Sequence, residues 1–170
     1  MAKDKREVMP SNETCHIKSI VLPFLKGTGT DWGCGSEKIV MDDTCIGVDA
    51  HNWKNVDLVL DLKKRTPFRD NQFDYVYSSH LIEDFLDIEP LLREMVRVIR
   101  HKGTLVIYMP HADWYPEAGT PGANPAHQRD WYPEQVMAIL RDIVKYKVVK
   151  CQTVPRLRSF LIIVEVLKNG

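Results

Sequence analysis

Thr28-Gly29-Thr30-Asp31-Trp32-Gly33-Cys34-Gly35 is the stretch that orders the rest of the chain. It predicts a strand over residues 28–33 that runs into a glycine-rich turn. Glycine at such a turn lets the backbone bend sharply and lets a ligand approach the main chain closely. The next apolar stretch, residues 45–48, ends at Asp49. A carboxylate at the end of a second strand can hold a ribose diol through two hydrogen bonds, or simply cap the strand.

The pattern continues outward from there. Short apolar stretches at 56–60, ending at Asp61, and at 73–77 predict a third and a fourth strand. Ile88, Leu91, Leu92, Met95, Val96 and Ile99 form one helical stripe, with Asp87 to cap its start and Gly103 to end it. The run after Thr104, to Met109, is unbroken, as in a strand buried on both faces. Pro133 opens a helix carrying Val136, Ile139, Leu140 and Ile143. Residues 146–154 and 160–167 are the last two strands, and the turn of 155–158 between them is short enough to make them antiparallel. Upstream, Ile17, Ile20, Val21 and Phe24 predict a helix within 13–26, bent by Pro23 and closed by Gly27. The expected architecture is a single α/β domain over residues 1–170 with a loose N-terminus at 1–12. Its sheet is doubly wound, mostly parallel and seven-stranded, with a C-terminal antiparallel hairpin. Ligands bind such sheets beyond the carboxyl ends of the strands, where the strand order reverses.

Composition narrows the class. The 170 residues carry 23 basic and 23 acidic side chains, so no net charge draws the chain toward nucleic acid or an anionic membrane. Cys15, Cys34, Cys45 and Cys151 are scattered without a C-x-x-C pair, which argues for reduced thiols in a cytoplasmic protein rather than a zinc site or disulfide framework. No apolar run approaches a membrane span. No metal is expected: there is no H-E-x-x-H, and the pairs Asp42-Asp43 and Glu83-Asp84 read as solvated.

Five ordered segments carry a specific resemblance. They are Asp31-Trp32-Gly33-Cys34-Gly35, Ile46-Gly47-Val48-Asp49, the run from Pro67-Phe68-Arg69-Asp70 to Phe73-Asp74-Tyr75-Val76, Ser78-Ser79-His80-Leu81-Ile82-Glu83, and Leu92-Arg93-Glu94-Met95 through His101-Lys102-Gly103. In order and spacing they resemble the class I, Rossmann-like S-adenosylmethionine-dependent methyltransferases, in particular the branch called type 11. The resemblance implies S-adenosylmethionine as cofactor and S-adenosylhomocysteine as product. It implies that Gly33 and Gly35 pass under the methionine part, with Asp31 and Cys34 also at the cofactor, and that Asp49 holds the ribose; His51, just after it, touches the ribose or is exposed. Asp61 and Leu62 would flank the adenine, and Ser79 and His80 would line the cleft where the methyl group leaves. Trp53 would pack on the adenine edge or in the core.

Three departures from the family pattern stand out. Glu37 replaces the third glycine of G-x-G-x-G, and His101-Lys102-Gly103 lacks the usual proline and second glycine. The link from Gly35 to Ile46 is too short for a crossover helix, so residues 36–44 are expected to be irregular. The compact Gly33-Cys34-Gly35-Ser36-Glu37-Lys38-Ile39 run resembles sugar-associated branches of the superfamily.

The long segment 110–132 has little periodicity but holds Trp114, Tyr115, Trp131, Tyr132, His111 and His127. It reads as an acceptor-side loop, with Trp114, Tyr115, His127 and Tyr132 as acceptor contacts. A hydroxyl acceptor needs a general base, and His80, His111 and His127 are the candidates, with Asp113 placed to orient His111. His16 and His101 read as surface residues. The expected activity is methyl transfer to an oxygen or nitrogen of a small-molecule or saccharide acceptor. A partner subunit with this fold is the alternative, and an NAD-binding domain would lack the 67–76 segment.

Overall fold

The computed structural model describes residues 14–168, so the expectation for 1–12 lies outside the described residues. The first helix, α1 (Thr14–Val21), tightens into a 3-10 turn at Leu22–Phe24. Pro23, with no N–H to give, makes the tighter turn cheap there. Seven strands follow: β1 (Gly29–Trp32), β2 (Cys45–Asp49), β3 (Leu58–Val59), β4 (Phe73–Ser79), β5 (Ile99–Pro110), β6 (Lys145–Val154) and β7 (Ser159–Leu167). Helix α2 (Glu89–Val98) joins β4 to β5, and α3 (Pro133–Ile143) lies between β5 and β6.

The seven strands form one sheet in the order β3-β2-β1-β4-β5-β7-β6. Pairing is parallel from β3 to β5, and β7 runs antiparallel to both β5 and β6. The strand order reverses between β1 and β4, which puts the ligand-binding crevice at their carboxyl ends. Alternation along the strands divides the core. Val76, Leu105, Ile107 and Ile162 pack under Leu91, Leu92 and Met95 of α2 and Val136 and Leu140 of α3. Tyr75, Tyr77, Val106, Tyr108 and Ile163 face Ile17 and Val21 of α1 together with Ile39.

Ile39 stands where a crossover helix would. Residues 36–44 form turns and bends, as expected from the short link, and side chains tether them to the sheet. The buried Asp31 carboxylate accepts a hydrogen bond from the Ile39 N–H at 2.7 Å. Lys38 lays its stem over Gly47, where a Cβ would stand 2.7 Å from the Lys38 Cγ and Cδ atoms. Its ammonium then donates to the Cys45 carbonyl and pairs with Asp57, each at 2.8 Å. Asp57 in turn accepts from the Gly47 N–H at 2.7 Å. Glu37 explains itself in this setting. A third glycine serves close packing of a helix on the strand; with no helix, Glu37 sits exposed and closes a turn onto the Cys34 carbonyl.

Two elements differ from the sequence reading. Helix α2 stops at Val98 and β5 starts at once, so Gly103 lies in the strand and does not end the helix. The β4–β5 register slips between Phe73 and Tyr75, Lys102 takes φ +61°, and a Cβ on Gly103 would meet the Asp74 carbonyl at 2.8 Å. Gly103 thus serves a bulge. The third strand shrinks to Leu58–Val59, an edge with one neighbour.

Candidate functional site

The crevice at the strand ends holds a cavity of about 240 Å³ lined by Gly33, Asp49, His51, Asp61, Leu62 and His80, with Trp53 and Asp84 on its walls. The ends of β1, β2 and β4 and the loop after β3 converge here. Gly33 (φ +73°) and Gly35 (φ +56°) are both left-handed, the conformation that favours glycine. A Cβ on Gly33 would stand 2.9 Å from the Leu81 side chain, whereas one on Gly35 would meet open space. Cys34 is buried between them, and burial pushes its thiol up to about 12, so it stays a neutral packing group.

Asp49 lines this cavity, and the buried Asp31 lies near it. Asp49 accepts from the Gly35 N–H at 3.0 Å and the His51 N–H at 2.9 Å, leaving one lone-pair site on each oxygen. Asp31 is fully buried; burial first, and the nearby Asp49 charge next, push it up to about 7. Its Oδ1 is buried without a hydrogen-bond partner among the described residues. Asp61 and Leu62 follow β3: Asp61 is exposed and held by the Lys63 N–H and Lys64, and Leu62 is buried.

His80 takes φ +50° directly after β4, and its Nδ1 lies 3.3 Å from Glu83 Oε1. Glu83 is only 3% exposed, and Asp84 is half-buried and pushed up to about 7 by burial and by Glu83. The reading of Glu83-Asp84 as a solvated pair is thereby corrected. The turn Ile82–Asp84 follows the carboxyl end of β4, and the Glu83 carbonyl receives the N–H groups of Gln128 and Arg129. Sequence spacing alone gives no sign of that contact. A larger cavity, about 620 Å³, opens alongside and shares Leu62, Lys63, Asp84 and Phe85, but it has no strand-end glycine or Asp49 in its wall.

The long segment 110–132 is ordered by its own bonds. His111 is buried, stacked on Trp114 with centroids 4.1 Å apart, and edge-on to Tyr132. Its Nδ1 accepts from the Asp113 N–H at 3.2 Å, while the Asp113 carboxylate accepts from the Tyr132 hydroxyl at 2.8 Å and stays 4.0 Å from the ring. The Asp113 main chain, rather than its carboxylate, is what orients His111. His127 is buried, stacks near Tyr115 and bonds the Arg129 carbonyl. Trp131 belongs to the core, under Arg129. Ser79 is buried at the end of β4, and Trp53 is half-exposed near His51, so its core-packing alternative falls away. His16 and His101 are on the surface.

Residues 31–107 match a family model described as a methyltransferase domain. A methyltransferase from Aquifex aeolicus described as S-adenosylmethionine-dependent superposes at TM-score 0.67, with 17% identity over 94% of each chain. A possible histamine N-methyltransferase from Thermotoga maritima gives 0.70, with 18% identity over 92% of this chain and 88% of its own. The fold is that of the class I methyltransferases. The [4+2]-cyclase SpnF shares it at TM-score 0.67 and 15% identity, over 91% of this chain and 82% of its own, so the methyltransferase fold also carries other chemistry. No curated protein sequence matches the chain.

Structures with this fold are described as S-adenosylmethionine-dependent methyltransferases, and the residues at these strand ends fit that cofactor. The partnerless Asp31 Oδ1 and the neighbouring Asp49 suit a ligand with cationic groups, and Gly35 leaves room beside them. Among the described residues no helix is long and apolar enough to cross a membrane.

Proposed function

We propose that this chain transfers the methyl group of S-adenosylmethionine to an oxygen or nitrogen of a small-molecule or saccharide acceptor. The observation that carries this reading is the acidic wall of the strand-end cavity, which Asp49, Asp61 and Asp84 line, with the buried Asp31 Oδ1, partnerless among the described residues, near Asp49. Such a wall favours an ammonium and a sulfonium over the pyrophosphate of a dinucleotide, and so this cofactor over NAD.

When bound, the cofactor supplies an electrophilic methyl group on sulfur. The chain's own residues would hold an acceptor oxygen or nitrogen in line with that carbon and take the acceptor's proton. The protein contributes alignment, exclusion of water and a base. Asp49 and His51 hold the ribose end, Asp61 and Leu62 the adenine, and Asp31, Gly33, Cys34 and Gly35 the methionine part, with Ser79 at the wall. His80 is the base we favour, because it lines the cavity. His111, at the end of the adjacent strand β5, is the second, but its Nδ1 lone pair already accepts the Asp113 N–H, so it is less suited to the task. Trp114, Tyr115, His127 and Tyr132 form the acceptor wall, where aromatic faces suit sugar rings.

Calorimetric titration with S-adenosylmethionine, S-adenosylhomocysteine and NAD tests the reading. Micromolar binding of both sulfur compounds and none of NAD supports it and justifies an acceptor screen. In that screen, His80→Asn and His111→Ala are compared for kcat at unchanged cofactor affinity, and the base is the residue whose loss stops turnover. No binding of either sulfur compound favours a partner subunit, a reading that the shortened first crossover supports.

A further inference from the structure

We propose that Glu83 is the positioning residue of His80: it fixes the proton on Nδ1 and raises the proton affinity of Nε2, so that the two form a carboxylate–imidazole pair on the wall of the cofactor cavity. The catalytic meaning of the pair rests on the methyl-transfer reading, but the pair itself does not.

The fold brings the two together by two local devices. His80 leaves β4 in a left-handed conformation, which turns the chain sharply at the rim of the cavity. The 3-10 turn Ile82–Asp84 then carries Glu83 back, so that Oε1 lies 3.3 Å from His80 Nδ1. Glu83 is held from behind as well, because its carbonyl receives two N–H groups from Gln128 and Arg129 of the acceptor-side loop. Its side chain is almost wholly buried, and Oε2 has no hydrogen-bond partner among the described residues. A carboxylate in that position is tolerated when a cation or a strong donor faces it, and the imidazole of His80 is that group.

The electrostatics follow. A carboxylate against Nδ1 keeps the proton there, so a neutral His80 carries its lone pair on Nε2, and the imidazolium is stabilised. The other groups facing His80 are Asp84, which feels both charges, and the ring of Tyr108, edge-on at 5.1 Å. Asp49, His51, Asp61 and Lys63 line the same cavity. Nε2 is itself buried, so the pair serves as a general base toward an acceptor O–H or N–H only in a state that opens that atom to the cavity.

The experiment is heteronuclear NMR of the histidine rings, free and saturated with S-adenosylhomocysteine, with His80→Asn to assign the resonance. In the wild type, His80 is expected as the Nδ1–H tautomer. In Glu83→Gln its midpoint should fall by about one pH unit or more and the tautomers should mix, because the variant keeps the shape and removes the charge. Glu83→Asp, which retains the charge and retracts it by a methylene, should fall between; it gives the same readout if the glutamine variant does not fold. Identical titration of His80 in wild type and variants overturns the proposal. With an acceptor in hand, the acid limb of kcat against pH should move down by the same amount, which a merely structural role for Glu83 would not produce. Failure to find methyl transfer overturns the functional reading and leaves the NMR result on the pair intact.

Discussion

Replacing Asp31 by asparagine should make the folded protein more tolerant of alkaline pH, by an amount that can be worked from its burial. Asp31 is pushed from 3.8 to about 7 because it is wholly enclosed and faces Asp49. Between those two values the folded chain holds a proton that the unfolded chain has released. Stability contributed by this group therefore falls as pH rises from about 4 through about 7, and by about pH 8 the loss is complete. The full shift corresponds to about 4 kcal/mol, and the part lost between pH 5 and pH 8 is about 2.5 kcal/mol. An asparagine in its place would keep an amide oxygen for the Ile39 N–H and has nothing to titrate. Urea unfolding of wild type and Asp31→Asn at several pH values reads the difference directly. Other groups that titrate in this range, Asp84 among them, are common to both proteins and cancel. The variant should gain on the wild type by about 2.5 kcal/mol from pH 5 to pH 8. A difference in stability that stays flat over that interval would refute the account of Asp31 as a buried, destabilising carboxylate.

Asp49→Ala should weaken binding of S-adenosylhomocysteine by about 1.5–3 kcal/mol, the worth of hydrogen bonds to a charged acceptor, and unchanged affinity by calorimetry would remove Asp49 from the ribose site. Lys38→Met keeps the apolar stem over Gly47 but loses the bonds to the Cys45 carbonyl and Asp57. It should cost about 1–3 kcal/mol in urea unfolding, and a variant as stable as the wild type would show that the ammonium does not hold the first crossover. Asp57→Asn leaves Lys38 facing a neutral partner. Because Asp57 is lowered by its bonds to Lys38 and the Gly47 N–H, its contribution is present at neutral pH and lost on acidification. The wild type should therefore approach the variant in stability as pH falls below about 4, and a constant gap would argue against the ion pair.

Much of this is legible in the sequence because strands and their ends write themselves in a short alphabet. Gly33, Gly35, Asp49 and Asp61 each follow a hydrophobic stretch, and the structure puts all but Gly35 on the wall of one cavity, with Gly35 bonded to Asp49 beside it. The stripe of α2 and the apolar run of β5 are equally plain. What escapes depends on contacts between distant segments. Gly103 looks like a helix terminator, but the Asp74 carbonyl across the sheet is what requires it. Glu83 and Asp84 look like solvated charge, since nothing local reveals that residues 128 and 129 return to cover them. Asp113 looks like the partner of His111 because they are close in sequence, yet Tyr132, far along the chain, takes its carboxylate.

The missing first helix changes how a cofactor would be held. A helix that starts at the glycine turn would offer unsatisfied N–H groups and a positive dipole end to a carboxylate. Here no helix follows Gly35, and the Gly35 N–H is already given to Asp49. What the loop keeps is the acceptor side of the site: Asp31 is fixed by Ile39, Asp49 is fixed by Gly35 and His51, and Lys38 fastens the loop to the sheet rather than facing the cavity. A cofactor at this site would then meet hydrogen-bond acceptors rather than a helix N-terminus. That needs only that the two acids stay where they are. A short tethered loop achieves this as well as a helix, provided that Gly47 leaves Lys38 a path across β2.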